Sequence, residues 1–131
     1  MNKLFVAIFC LSASPAIAQN YESYSPPSAE ELRAELFGVH LFGNVDGSEP
    51  WSECIEEDGT TLYTVGESQI RGRAWVPEDG WICFNYDKEQ DNCYTAIRTD
   101  GGWVFRGGGT TFEITEVRKN VETCPVIDTA E

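Results

Sequence analysis

Two aromatic-rich segments, each carrying one cysteine, flank an acidic run in the second half of the chain. The segments are Trp81–Tyr86 and Cys93–Ile97, and Asp87–Asn92 joins them. Both segments have high β propensity, and a turn in the middle of the acidic run would set Cys83 opposite Cys93. A cross-strand disulfide can span that distance. The pattern therefore predicts a β-hairpin held by a Cys83–Cys93 disulfide.

The remaining cysteines predict a second disulfide. The sequence has five cysteines, and Cys10 lies in an N-terminal segment that we expect to be removed. Cys54 and Cys124 are then left, and they pair by elimination. An even number of cysteines in a small exported domain is typical of a disulfide framework. A metal site is not expected, because no two cysteines have the short spacing of zinc ligands.

From Trp51 onward, short β-rich segments alternate with turn signals. The signals are Asp58-Gly59, Gly66-Glu67, Pro77–Gly80, Asp100–Gly102 and Gly107–Gly109. Signals that recur roughly every 8–12 residues are typical of an antiparallel meander. The pattern predicts a mainly β fold of about seven strands that closes as a small barrel or a sandwich. The length allows one domain, which we place at residues 28–125, between flexible residues 19–27 and a flexible tail, 126–131.

A short helix is predicted before the strands. Ser28 and Glu31 match a capping box, in which each side chain bonds a backbone N–H at the start of a helix. Leu32 and Leu36 give the helix one apolar edge, and Gly38 is placed to end it. We expect this helix to pack on the β domain as a lid or plug.

The segment Met1–Ala18 has the features of a secretory signal peptide. A lysine precedes the apolar run Leu4–Leu11, and Ala16-Ile17-Ala18 matches a small-x-small cleavage site. The run is shorter than the roughly 20 residues that cross a bilayer. We therefore expect cleavage after Ala18 and a periplasmic or secreted protein that is not embedded in a membrane.

Acidic residues dominate the charge of the chain. It has 22 Asp and Glu against 9 Lys and Arg, which gives a formal net charge of −13. A nucleic-acid partner is not expected, because phosphate binding depends on dense Lys and Arg. The aromatic residues supply enough apolar area for a folded protein in spite of this charge.

A candidate binding surface follows from the predicted register of three strands. With Pro77–Gly80 as the loop, one face is uncharged and carries both hairpin cysteines, so we predict that it faces the core. That face holds Ile70, Gly72, Ala74, Val76, Trp81, Cys83, Cys93, Thr95 and Ile97. The other face carries arginines among aromatic rings, which suits a ligand or partner site. It holds Ile82, Phe84 and Ala96 together with the predicted binding residues Arg71, Arg73, Trp75, Tyr86, Tyr94 and Arg98.

Catalytic groups are sparse in the sequence. His40 has no nucleophile or orienting acid near it in the chain, so we interpret it as a structural histidine. Glu53, Glu56, Glu57 and Asp58 could supply the paired carboxylates of a glycosidase, although acidic residues are abundant throughout the chain. No catalytic residue is therefore predicted.

The hairpin tip has part of the pattern of a calcium-binding loop. Asp87, Glu89 and Asp91 place carboxylates at alternate positions. The pattern then departs from that of an EF-hand, because Asn92 replaces the glycine and Arg98 replaces the final glutamate. We interpret the tip as a solvated turn and predict no metal site.

A pattern G-x-x-W, C-F-x-Y and C-Y is formed by Gly72–Val76, Cys83–Tyr86 and Cys93-Tyr94. In this pattern the chain resembles a group of small exported proteins of unknown function from alphaproteobacteria. The resemblance covers roughly residues 28–105, and Cys54 and Cys124 have no place in it. It implies an envelope or secreted β-rich domain and supplies no catalytic residues.

These features favour an exported envelope or secreted protein that binds or interacts without a catalytic site. Its partner would be an unidentified protein or a small ligand of the envelope, and no cofactor is expected. A small-ligand-binding β-barrel of the periplasm is one alternative, and it requires a cavity inside the barrel. A carboxylate-based hydrolase is the other alternative, and it requires two converging carboxylates.

Overall fold

The computed structural model describes residues 25–125. Within them, one helix is followed by eight antiparallel strands that close into a barrel. The elements are α1 (Ala29–Leu36), β1 (Val39–Val45), β2 (Glu49–Ile55), β3 (Thr60–Val65), β4 (Ser68–Trp75), β5 (Trp81–Asn85), β6 (Asn92–Thr99), β7 (Gly102–Gly107) and β8 (Thr110–Lys119). The predicted mainly β fold with one N-terminal helix is confirmed, and the fold is a barrel. The predicted signal peptide and the tail of residues 126–131 lie outside the described residues.

The strand that the sequence pattern did not predict is β1. It lies before Trp51, where the predicted series of strands begins. This strand pairs with β2 on one side and with β8 on the other. The pairing with β8 shifts between Phe42 and Gly43, which is the mark of a β-bulge. The unpredicted strand is therefore the one that closes the barrel.

Helix α1 closes the end of the barrel at which β4 ends and β5 begins. Ser28 is its N-cap, and the Ser28 hydroxyl accepts a hydrogen bond from the Glu31 N–H at 3.1 Å, which confirms the predicted cap. Leu32 and Leu36 are fully buried in the core of the barrel. Pro27 was expected to be flexible, but it is buried, and its carbonyl oxygen accepts a hydrogen bond from the Gly80 N–H at 2.8 Å.

Helix α1 has eight residues. No helix within residues 25–125 is both long enough and apolar enough to span a membrane.

Both predicted disulfides are confirmed. Cys83 and Cys93 are direct cross-strand partners of β5 and β6. Cys54 is bonded to Cys124 and so holds the chain that follows β8 against the outside of β2. Leu62 of β3 is buried under the same segment. Two disulfides in a chain of this size favour an oxidising compartment outside the cytoplasm.

The register between β4 and β5 differs from the predicted one by one residue. Ala74 pairs with Phe84, whereas the predicted four-residue loop would have paired Val76 with Trp81. The connection has five residues, 76–80. Val76 leaves the strand, and its carbonyl oxygen accepts a hydrogen bond from Arg33 Nη2 at 2.9 Å. A shift of one residue turns a strand's side chains to the opposite face relative to its neighbour.

The predicted core face is therefore wrong for the hairpin. Ile82, Phe84 and Ala96 were assigned to the exposed face, but they are buried in the core with Ala74 and Val76. The cysteine face of the hairpin is the outer one. Its members Trp81 and Cys93 are exposed.

Candidate functional site

The end of the barrel opposite α1 opens into a cavity of about 210 Å³. Its lining residues are Trp51, Glu53, Tyr63, Ile70, Phe84, Tyr86, Lys88, Asn92, Tyr94, Phe105 and Phe112. Ile70, Lys88 and Asn92 are exposed and form the mouth. Glu53 is only 1% exposed and lies at the floor. The cavity is therefore a mostly aromatic pocket with a buried carboxyl group at its inner end.

Strand β2 places Glu53 inside the barrel. Trp51 and Ile55, two residues before and after it, are also buried in the interior, as the alternation of a strand requires. The Tyr86 hydroxyl donates to Oε1 of Glu53 at 2.6 Å. Thr61 Oγ1 lies 2.6 Å from the same oxygen. A residue of β3 and the residue that follows β5 thus converge on one carboxylate oxygen of β2.

The other carboxylate oxygen, Oε2 of Glu53, is buried and has no hydrogen-bond partner among the described residues. Trp51 also lines the cavity, and its Nε1 is likewise buried without a hydrogen-bond partner among the described residues. Buried polar atoms are usually paired, and leaving one unpaired costs about 1–3 kcal/mol. The cavity wall therefore offers one unused acceptor and one unused donor.

Thr61 lies between two acceptors. Its Oγ1 is 2.6 Å from Oε1 of Glu53 and 2.8 Å from the carbonyl oxygen of Cys54. A hydroxyl group has one hydrogen and can donate it to one of these acceptors at a time. The bonds from Thr61 and Tyr86 to Oε1 stabilise the carboxylate form of Glu53.

Burial outweighs these bonds and favours the protonated form of Glu53. Burial raises the pKa of Glu53 to about 8, against the smaller opposing effect of its bonds to Thr61 and Tyr86. Burial, and then the charge of Glu53, raise the pKa values of Tyr86 and Tyr94. No cation among the described residues pairs with Glu53, so its charged form is poorly compensated.

Aromatic rings form the wall above Glu53. Trp51 meets Phe112 edge to face at 5.0 Å between ring centroids, and Tyr94 meets the same ring at 5.3 Å. Tyr63 and Tyr86 lie 5.6 Å apart. These are the separations and orientations at which aromatic pairs are attractive. The wall is therefore preorganised, and it presents both ring faces and ring edges to the cavity.

Two glycines leave the space in which the rings of Tyr86 and Tyr94 pack on the neighbouring strands. A Cβ on Gly72 would lie 2.7 Å from Cδ1 of Tyr86, and one on Gly107 would lie 2.9 Å from Cδ1 of Tyr94. No side chain fits at either position without displacing the ring. The absence of a side chain at Gly72 thus allows Tyr86 to reach Glu53.

We expect Gly72→Ala to destabilise the protein by about 1–3 kcal/mol, as overpacking does. The added methyl group would collide with the Asn85 carbonyl oxygen and with the Tyr86 ring. Urea unfolding monitored by fluorescence measures the loss. Gly101→Ala is the matched control, because a Cβ at Gly101 meets nothing within 4 Å. Equal stability of the two variants would contradict the packing of Tyr86 on Gly72.

The structure separates the six predicted binding residues. Tyr86 and Tyr94 line the cavity. Arg71, Arg73 and Trp75 lie instead on the outside of the barrel, where they line a surface groove with Asn85, Asp87 and Asp91. Their predicted shared face is therefore wrong. A role of this groove in partner binding stays a prediction.

Arg98 lies at the closed end of the barrel. Its Nη2 is 2.7 Å from Oε2 of Glu35 on α1, and its guanidinium lies 4.6 Å from the centroid of the Trp103 ring. This arginine therefore connects the helix to the barrel and is remote from the cavity mouth.

The other candidate groups are also dispersed. Glu56, Glu57 and Asp58 line a depression at the closed end, so they do not converge with Glu53. His40 lies on the outer face with its ring 4.1 Å from that of Phe42, and burial lowers its pKa. No cluster of three or more metal-ligating side chains is present within residues 25–125.

The burial of Glu53 at the floor of the cavity was not predicted from the sequence. In the sequence, this residue is one of several acids close together. Trp51 and Ile55 at alternate positions were the available signal, because they place Glu53 on the apolar face of its strand. Thr61 gave no such signal, since it reaches Glu53 only through the register of β2 and β3.

No family model, curated protein or solved structure matches this chain. The resemblance to small exported alphaproteobacterial proteins stays a prediction.

Proposed function

We propose that this protein binds a small ring-containing molecule in the cavity above Glu53 and has no catalytic role. The observation that carries the proposal is the open, aromatic-walled cavity with an unpaired acceptor, Oε2 of Glu53, at its floor. A ligand that supplies the missing hydrogen bond would remove the cost of that unpaired group.

The architecture supports binding of a small ligand. An eight-stranded barrel has an interior that side chains can fill or that can hold one small ligand. Here the interior is filled at the helix end and open at the other end. The cavity of about 210 Å³ exceeds the roughly 150 Å³ that binds benzene in an engineered protein. A ligand with one aromatic ring and a short polar substituent therefore fits.

Binding is favoured over hydrolysis by the composition of the lining. A glycosidase needs two carboxyl groups on opposite sides of the scissile bond. Glu53 is the one acidic residue among the described residues that line the cavity. The alternative of a carboxylate-based hydrolase is accordingly not the one we propose.

The proposal includes a location in the periplasm or outside the cell. The two disulfides and the signal-like sequence Met1–Ala18 support it. Fractionation of cells that express the full chain tests the location, together with N-terminal sequencing of the product. Full-length protein in the cytoplasmic fraction would contradict export.

We expect Ile70→Trp to block the cavity and to weaken binding of ring compounds at least about tenfold, a loss of roughly 1.4 kcal/mol. Ile70 is 40% exposed and lines the mouth, so a larger side chain there can fill the entrance without disturbing the core. Calorimetric titration with benzyl alcohol and with benzylamine measures the effect. The Trp51 indole N–H resonance should shift in the same titrations of the unmodified protein.

Arg71→Trp is the matched control for this experiment. Arg71 is the next residue of the same strand and faces the outer groove. We expect this variant to bind as the unmodified protein does. Equal weakening by both substitutions would place the binding site elsewhere, and no binding of either compound to the unmodified protein would count against the proposed function.

A further inference from the structure

We propose that the ligand of the cavity is a small organic amine, and that its ammonium group donates a hydrogen bond to Oε2 of Glu53. This inference rests on the proposed function and specifies the chemical class of the ligand. It is carried by the unpaired oxygen, by the aromatic wall and by the charge of the protein.

The unpaired atom, Oε2, is an acceptor in the ionised state of Glu53. Oε1 accepts from Thr61 and from Tyr86, so in the neutral acid the proton lies on Oε2. When that proton leaves, Oε2 is a buried carboxylate oxygen with no donor among the described residues. A cationic donor such as an ammonium N–H would take the place of the proton and pair with this oxygen.

The aromatic wall suits a cation. Faces of Trp, Tyr and Phe rings attract ammonium groups, and the attraction is stronger where water is excluded. Trp51, Tyr63 and Tyr86 all line the cavity that Glu53 closes. Their rings are held by their neighbours at centroid distances of 5.0 Å for Trp51 with Phe112 and 5.6 Å for Tyr63 with Tyr86. A neutral donor would use the carboxyl group alone, whereas an ammonium group uses the carboxylate and the rings together.

The charge of the whole protein also favours a positively charged ligand. A net charge of −13 raises the local concentration of cations and opposes the approach of anions. Lys88, at the mouth, is the one positively charged residue among the described residues that line the cavity. Its ammonium group would repel a second positive charge at the outer end of the ligand. The site therefore favours a compound with a single amino group, held at the inner end of the cavity.

Binding of an ammonium ion would couple to release of a proton. The proton on the Glu53 carboxyl passes to the buffer, and the carboxylate that remains pairs with the ammonium group. The titratable groups around this carboxyl are Tyr63, Tyr86 and Tyr94 inside the barrel, with Lys88 at the mouth and Glu49 near Tyr63. The tyrosines have raised pKa values and stay neutral below the pKa of Glu53. The proton that is released therefore comes from Glu53.

The test compares benzylamine with benzyl alcohol, which has nearly the same shape and no charge. Isothermal titration in two buffers of different ionisation enthalpy counts the protons released on binding. We expect benzylamine to release close to one proton near pH 6 and its Kd to fall about tenfold per pH unit until the pKa of Glu53 is reached. Benzyl alcohol should bind with no such dependence. This comparison uses the unmodified protein and so does not depend on the folding of any variant.

Glu53→Gln keeps the size of the side chain and removes its charge. We expect this variant to lose benzylamine affinity at least about 100-fold at the pH of tightest binding and to keep its affinity for benzyl alcohol within a few fold. Retained binding of the alcohol shows that the barrel is intact. Lys88→Ala should tighten benzylamine binding at low salt, because it removes the repulsive charge at the mouth.

The outcomes separate the two proposals. Equal affinity for the amine and the alcohol, or amine binding that releases no proton, would overturn the amine inference and leave a neutral-ligand barrel. Failure of both compounds to bind would overturn the amine inference together with the proposed function. Preferential, proton-releasing binding of benzylamine that is lost in Glu53→Gln would support both.

Discussion

Above pH 8, Glu53→Gln is expected to stabilise the ligand-free protein by several kcal/mol relative to the same substitution at an exposed acid. Glu53 is buried at the floor of the cavity, and its pKa rises to about 8 from an ordinary value of 4.5. In the unfolded chain the same group ionises freely in water. Folding at high pH must therefore place an uncompensated negative charge in an apolar interior, and glutamine avoids that cost.

The direction of the pH dependence follows from proton uptake. Between pH 4.5 and about 8 the folded state holds a proton on Glu53 that the unfolded state has lost. The free energy of unfolding should therefore fall by about 1.4 kcal/mol per pH unit across this window, relative to the glutamine variant. Below the window both states are protonated and above it both are ionised, so the difference between the two proteins should be constant there.

Urea unfolding at a series of pH values measures this difference. The protein carries many other acids, so the quantity to compare is the stability of the variant minus that of the unmodified protein. Glu113→Gln is the control, because Glu113 is an exposed acid on β8 and its removal changes the net charge equally. Parallel stability curves for Glu53→Gln and the unmodified protein would show that Glu53 does not hold its proton in the folded state.

Replacing Cys54 and Cys124 by serine is expected to destabilise the protein by about 4 kcal/mol, because the bond closes a long loop in the unfolded chain. The two cysteines are 70 residues apart. Their bond also holds Val121 against buried Leu62 on the outside of the barrel. Loss of the bond would release this segment and expose Leu62, which adds to the entropic effect.

The second disulfide provides the comparison for this prediction. Cys83 and Cys93 are 10 residues apart, so the same reasoning gives about 3 kcal/mol for their replacement by serine. Chemical denaturation of the two double variants, each against the unmodified protein, gives the ranking. A larger loss from the Cys83 and Cys93 variant would show that the C-terminal segment contributes little to the stability of the fold.

Local patterns predicted much of the fold. The N-cap at Ser28, the places of the turns after Trp51 and the register of the hairpin around Cys83 and Cys93 appear in the structure as expected, although the turn at Pro77–Gly80 is one residue longer than predicted. Each depends on residues close together in the chain, where backbone geometry leaves few alternatives. The pairing of Cys54 with Cys124 was predictable because only two cysteines remained.

Two predictions were wrong for the same physical reason. They concern the face of the hairpin that forms the core and the surface that arginines and tyrosines were expected to share. A connection of five residues in place of four reversed the faces of β5 and β6 relative to β4. The extra residue, Val76, is held outside the strand by Arg33 of the helix. A hydrogen bond between residues so far apart in the chain leaves no mark on the local pattern. Arg71 and Arg73 therefore lie on the outside of the barrel wall, whereas Tyr86 and Tyr94 lie on the inside.

Local sequence was enough to predict a disulfide-linked antiparallel β domain with a capped helix, because alternation, turn residues and helix caps act over a few residues. Contacts between distant strands set the closure of the barrel by β1 and β8, the side of each strand that forms the interior, and the contacts of Thr61 and Tyr86 with Glu53. These features depend on register between separate strands, where a shift of one residue exchanges the two faces. The cavity and its buried carboxyl group are consequences of that register.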